Sequence, residues 1–279
     1  MAGRHHIAVW SGLVLFCAGF NIPPCFAADL ETIVRRGTAA IQSDWAADQE
    51  YAYLERDEFQ KNDKLTSKTY RVVIIGGSDY NLPIAVNDQP LSPDQEKNEL
   101  AKLKNEIRRR NNETPSERQQ RVGHYKKQRD ENGDLLLEFP NTFTFELVRE
   151  ETVNGYGAYV LSATPKERTG PMSRTAKVLT GMRGTLWIEK EKFHLIRAEC
   201  NVVTSVPIFG ALAHVLPGTH IELDMAPVTD SEFWLGRALS MELSLSKLWF
   251  KSMQVTRSTF SEYRLNGPVI DELSSKAGN

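Results

Sequence analysis

The sequence predicts a mainly β protein of the α+β class, in which a curved antiparallel sheet wraps around covering helices. Three observations carry this expectation. From Phe143 to Tyr263 apolar and polar residues alternate in run after run, the period-two pattern of half-buried strands. The runs are joined by short turns, which suit antiparallel neighbours, whereas parallel ones need long crossovers. A sheet with one apolar face must be covered, and the covers at hand are an N-terminal helix and a pair of helices inserted before Phe143.

The N-terminus reads as a secretory signal, residues 1–27. Arg4, His5 and His6 precede an apolar run from Ile7 to Phe20; Pro23 and Pro24 break it, and Cys25-Phe26-Ala27 offers a cleavage site. The run is shorter than the roughly 20 residues that a spanning helix needs, and no later stretch is apolar enough, so an integral membrane protein is not expected. Phe16 before Cys17 and Pro24 before Cys25 do not suit lipoprotein processing, which wants a small residue there. Cleavage removes Arg4 and no acid, leaving a net charge of −3 from 34 basic and 36 acidic residues. A general nucleic-acid binder would be strongly basic, so that class is excluded. Cys200 then remains alone, without an intramolecular disulfide partner.

Residues 28–265 read as one domain. Leu30, Ile33, Val34, Gly37, Ile41 and Trp45 recur at spacings of three and four, an amphipathic helix with Asp29 as its N-cap and a solvated polar face. Tyr51 and Tyr53 lie on one face of a first strand, and Tyr70 to Ile75 is a second, closed by Gly76-Gly77. Asn87-Asp88-Gln89-Pro90 is a turn. Residues 94–131 differ from their surroundings, with 11 basic and 8 acidic residues and one aromatic, Tyr125. Leu100, Leu103 and Ile107 make a narrow stripe and Pro115 a break, which predicts two charged helices inserted into the β body and ended by Asn132-Gly133. Prolines 140, 165, 207, 217 and 227 fall between the later strands. Residues 266–279 are expected to be a flexible C-terminal tail.

No pattern for catalysis emerges. Neither a Gly-x-Ser-x-Gly elbow nor a phosphate-binding Gly-x-x-x-x-Gly-Lys loop occurs. His124, His194, His214 and His220 stand alone, without metal-ligand spacing, and read as structural or solvated. Cys200 shares a strand face with Ala198 and Val202 and reads as core. Glu150 and Glu151 are adjacent on a strand and point to opposite faces, so they are no acid–base pair. The sequence therefore predicts a non-enzyme with no catalytic residue, metal or cofactor. An enzyme whose site gathers His194, His214 or His220 with distant acids is the third possibility.

The segment Gly184-Thr-Leu-Trp-Ile-Glu-Lys-Glu-Lys-Phe-His-Leu-Ile-Arg-Ala-Glu199 resembles the central hairpin of LolA-like proteins, the outer-membrane lipoprotein-sorting proteins and their relatives. The order of signal, helix, Tyr-rich strand, helical segment and strand series ending in Ser261-Glu-Tyr263 is similar too. The resemblance implies a periplasmic protein with an apolar cavity inside an incomplete barrel, and lipid or lipoprotein acyl chains as its partners. The apolar alternates Phe143, Phe145, Leu186, Ile188, Ile221, Leu223, Met225, Leu243 and Leu245 are the candidate lining, or else ordinary core beneath the helices. The alternative function is a non-catalytic envelope sensor or scaffold, meeting a protein partner through the charged helices at 94–131. Arg108-Arg109-Arg110 and Lys126-Lys127 are its candidate contacts, or else solvated faces with internal ion pairs.

Overall fold

A computed structural model describes residues 29–61, 64–167, 179–207, 213–247 and 250–278; the expected signal at 1–27 lies outside them. Helix α1 (Leu30–Ala47) leads through a 3₁₀ turn, Asp48–Glu50, into β1 (Tyr51–Lys61), β2 (Lys64–Ile75), β3 (Ser78–Val86) and the short β4 (Gln89–Pro90). Helices α2 (Pro93–Asn111) and α3 (Pro115–Thr142) follow, then β5 (Phe143–Val153), β6 (Tyr156–Pro165), β7 (Met182–Glu189) and β8 (Leu195–Val202). Two short strands, β9 (Val206–Pro207) and β10 (Ala213–Val215), precede β11 (His220–Pro227), β12 (Trp234–Lys247) and β13 (Phe250–Leu265), and α4 (Asn266–Gly278) ends the chain.

The described strands form one sheet in the order β4-β3-β2-β1-β13-β12-β11-β8-β7-β6-β5, with β10 paired to the far end of β12 and β9 to β10, antiparallel at every pairing. β4 and β5 stay unpaired on their outer sides, so the barrel is incomplete. The register carries one face across it: Leu161, Leu186, Ala198, Leu223, Leu239, Ser258 and Asp57 are successive cross-strand partners. Strands β5 and β12 are five spacings apart, roughly 24 Å along a flat sheet. Both nevertheless contact α1, which requires this face to be concave.

Each helix begins for a local reason. Thr32 N–H donates to the Asp29 carboxylate at 2.7 Å, the expected cap of α1. Ser92 with Gln95, and Thr114 with Glu117, close reciprocal capping boxes on α2 and α3, each with proline in the first turn. On the concave face Ile33 of α1 is buried against Tyr159, Leu161, Leu186, Ile188, Phe193 and Leu195. Burial of one such side chain contributes about 1.5–3 kcal/mol. The opposite face of β1–β3 carries a second core, where Ala52, Val73, Ile75 and Leu82 meet Leu103 of α2 and Val269 of α4.

Four expectations are corrected. The C-terminal residues are no flexible tail: 266–278 form α4, and Val269, Ile270 and Leu273 pack into the second core. Three apolar residues at helical spacing were enough once an apolar partner surface existed. The second inserted helix does not stop at Asn132-Gly133 but runs to Thr142, with Pro140 inside it. Phe139 supplies the reason, its ring lying 4.4 Å from that of Phe143 and 5.8 Å from Phe145, packing that offsets a helix-breaking cost of about 1 kcal/mol at the glycine. Consequently Pro140 does not fall between elements. Finally, the polar side of α1 is not all solvated, because Asp44 is buried.

Beside the apolar contact of Leu103, cations bind the inserted helices to the body. Arg110 donates to the carbonyls of Ile75 (2.7 Å) and Ser78 (2.9 Å), and Arg121 to the Ser78 hydroxyl (2.7 Å). Arg109 and Arg121 share Glu113, whose carboxyl they hold below its ordinary range. Farther along, Arg129 reaches Asp48 at 2.7 Å and lies over the Trp45 ring, tying α3 to the end of α1. Arg108, Lys126 and Lys127 are exposed.

Candidate functional site

Helix α1 does not fill the concave face. Between them lies a cavity of about 400 Å³, partly open to solvent. Its roof is Ile33, Val34, Gly37 and Ile41 of α1, with Phe139 and Pro140 from the last turns of α3. Its floor is the run of cross-strand partners Leu161, Leu186, Ala198, Leu223 and Leu239, flanked by Phe145, Ile188, Leu195 and Ile221. A volume of this size falls within the roughly 300–1,000 Å³ of small-molecule sites.

The wall brings almost nothing polar to the space. The Thr38 hydroxyl is spent on the Val34 carbonyl at 2.8 Å. Cys200 contributes its thiol, pushed up to about 11, chiefly by burial and secondarily by Glu199, so it lines the cavity as a small apolar group. Gly184 permits this placement. A Cβ there would stand 2.9 Å from the Glu199 carbonyl and 3.3 Å from Cys200 Sγ. No carboxylate, imidazole, ammonium or guanidinium belongs to the lining among the described residues.

Of the sequence-predicted lining, Phe145, Leu186, Ile188, Ile221 and Leu223 come together around the cavity. Phe143 is buried beside it with Ala163 and Leu179. Met225 packs against the cores on either side of β7 and β8. Leu243 and Leu245 follow Leu239 along β12 on the same face, half-buried, but beyond the cavity wall. Sequence reasoning missed the roof and part of the floor. Ile33, Val34 and Ile41 stood in the helical stripe, and Leu239 stood in the alternating run of β12. Neither pattern says which members face a gap.

Farther along the concave face, past Leu239, the surface turns polar. Ser258 Oγ donates to Asp57 at 2.6 Å. The Glu55 carboxyl is pushed up to about 7 by burial first, then by Asp57, Asp79 and Asp48. Burial also lifts the hydroxyls of Tyr53 and Tyr263 well above the ordinary phenol range, and the two rings lie 5.3 Å apart.

The histidines do not converge. His194 is buried at the other end of α1, its Nδ1 2.8 Å from Asp44 Oδ2 and its ring stacked on Trp234. His220 contacts Asn201 at 3.0 Å, and His214 lies on β10. No group of three metal-ligating side chains occurs among the described residues.

No family model and no curated protein matches the chain. Among solved structures it is similar to a LolA superfamily protein from Nitrosomonas europaea, at 11% identity over 86% of this chain and 94% of that one, with a TM-score of 0.35. It is similar at 12% identity to a DUF1329 family protein from Desulfovibrio piger, covering 88% and 96% of the two chains, again with a TM-score of 0.35. A putative outer membrane lipoprotein-sorting protein domain from Vibrio parahaemolyticus shares 11% identity over 87% and 98%, also at 0.35. Scores this low carry no weight for what the present chain binds, and the similarity is one of layout.

Proposed function

We propose that this protein is a periplasmic binder or carrier of lipid or of an acylated lipoprotein, which it holds by the acyl chain in the cavity under α1. The observation that supports the reading most is the space itself, about 400 Å³ walled by aliphatic and aromatic side chains without a charged group. An acyl chain gains about 0.8 kcal/mol for each buried CH₂, so a chain of roughly 14 carbons gains on the order of 10 kcal/mol before ordering costs. Such a site needs no catalytic group; it needs an apolar floor and a roof that can yield. Release would cost the same burial energy, so a carrier also needs a roof helix held at few points.

Leu223→Glu tests this. A carboxylate in the middle of the floor is expected to abolish uptake of a fluorescent fatty-acid probe while circular dichroism stays unchanged. Undiminished uptake by the folded variant would sink the reading.

The second reading, an envelope sensor or scaffold, draws on the exposure of Arg108, Lys126 and Lys127 on α2 and α3. It expects charge reversal of these three to abolish co-purification of a protein partner and to leave probe uptake intact. A partner that persists on the reversed variant removes it.

A further inference from the structure

At the end of the sheet where β12 turns into β13, the β13 side of the hairpin runs on past β1, while β10 pairs with β12 as far as Lys247. The pairing of β1 with β13 ends at Gln60 against Val255, whereas β12 and β13 stay paired as far as Lys247 against Phe250. Residues 250–254 therefore project beyond β1 by roughly 16 Å. Phe250 is 76% exposed and Met253 62%. A single exposed apolar side chain is ordinary; two large ones within four residues of a projecting hairpin end mark an interaction surface.

The charge of this edge is as uneven as its polarity. From Leu243 to Gln254 the sequence contains Lys247 and Lys251 and no Asp or Glu. Lys247 and Lys251 are exposed. Elsewhere on the sheet cations stand beside acids, as in Arg56–Asp88, Arg149–Glu151 and Arg197–Asp224.

We propose that this hairpin docks end-on on an anionic membrane surface, with Phe250 on one face of the ribbon and Met253 on the other at headgroup level, and the ammonium groups of Lys247 and Lys251, likewise one on each face, against lipid phosphates. The chemistry favours a bilayer over a protein partner. Protein interfaces are depleted in lysine and use arginine, whereas an aromatic residue between lysines with long flexible stems suits the lipid interface. The site also has a geometric bearing on the cavity. Leu239 in the cavity floor is followed on the same face of β12 by Met241, Leu243 and Leu245, and this apolar line ends beside Phe250. Docking does not depend on the cavity reading, however, and is tested apart from it.

The test is flotation of the full chain with vesicles of phosphatidylcholine alone and of phosphatidylcholine mixed with phosphatidylglycerol. The wild type is expected to float with the mixed vesicles, less as salt is raised, and little with the neutral ones. Each lysine at an anionic surface is worth about fivefold in partitioning, so Lys247→Glu with Lys251→Glu should lower it at least about 25-fold. Phe250→Ser should weaken flotation on its own. All three positions are exposed, so the variants are expected to fold, as circular dichroism would check. Leu223→Glu should float like the wild type even where it has lost the probe, which separates the two proposals. A wild type that stays unbound, or floats equally with both vesicles, overturns the proposal. So does a Phe250→Ser variant that floats normally but changes the mass of the protein in solution, which would assign the hairpin to a contact between two copies of the chain.

Discussion

Asp44 Oδ2 lies 2.8 Å from His194 Nδ1, and Asp44 Oδ1 accepts the backbone N–H of Trp234 at 3.0 Å. One buried carboxylate of α1 thus fastens the helix to the β7–β8 turn and to the start of β12, at the end of the helix away from its N-cap. Asp44→Ala leaves a buried N–H and an imidazole without their partner, a loss of about 2–4 kcal/mol. Asp44→Asn keeps an acceptor for Trp234 and should lose less. Urea unfolding of the two variants checks the order.

The cavity ends between Leu239 and Leu243. Leu243→Glu, outside the wall, is expected to keep uptake of the fatty-acid probe, in contrast to Leu223→Glu within it. Probe titrations of the two variants side by side decide whether the geometric boundary is also a functional one.

Glu55 makes stability depend on pH. Its carboxyl is pushed up to about 7 in the folded protein from an ordinary value near 4.5. The folded state therefore holds this proton more tightly than the unfolded chain does. Its stabilising contribution is full below about pH 4.5 and is lost as pH rises through 7. Glu55→Gln should remove that part of the decline and raise stability at pH 8 by about 1–2 kcal/mol, a figure reduced for the group's partial exposure to water. Thermal melts at pH 5 and pH 8 measure it, and a variant no more stable than the wild type at pH 8 refutes it.

Val269 is the anchor of α4 in the core that it shares with Ala52, Val73 and Leu103. Val269→Asp places a carboxylate there without a partner and should cost about 3 kcal/mol or more. Leu265→Asp, four residues earlier and exposed, should cost little. Chemical denaturation of both separates a structural helix from a dispensable tail.

Patterns repeated along the chain were legible in the sequence. The stripe of α1, its Asp29 cap, the alternation of β5 to β13 and the turn at Asn87-Asp88 all follow from local periodicity and turn chemistry. Five of the nine chosen alternates line the cavity because a period of two fixes the face of a strand. It does not fix how far along the strand a roof extends, and so Leu243 and Leu245 were chosen with the rest. What depends on distant partners was hidden. Asp44 reads as one more polar residue on a wet helix face until Trp234 and His194, 190 and 150 residues away, close over it. Val269 and the last turns of α3 read as loose because their apolar partners come from β1–β3 and β5.

The adjacency of β1 and β13 sets the order in which the protein can be assembled. Among the described residues, strands β1 to β4, drawn from residues 51–90, join the rest of the sheet only along β13, which ends at Leu265. Until nearly the whole chain has emerged, this wing has an open edge and no neighbour, and closing the seam means capturing a loop of about 200 residues. Contacts so far apart in sequence make for slow folding. A chain that completes its sheet last keeps an open strand edge longest, a state exposed to strand-capturing aggregation.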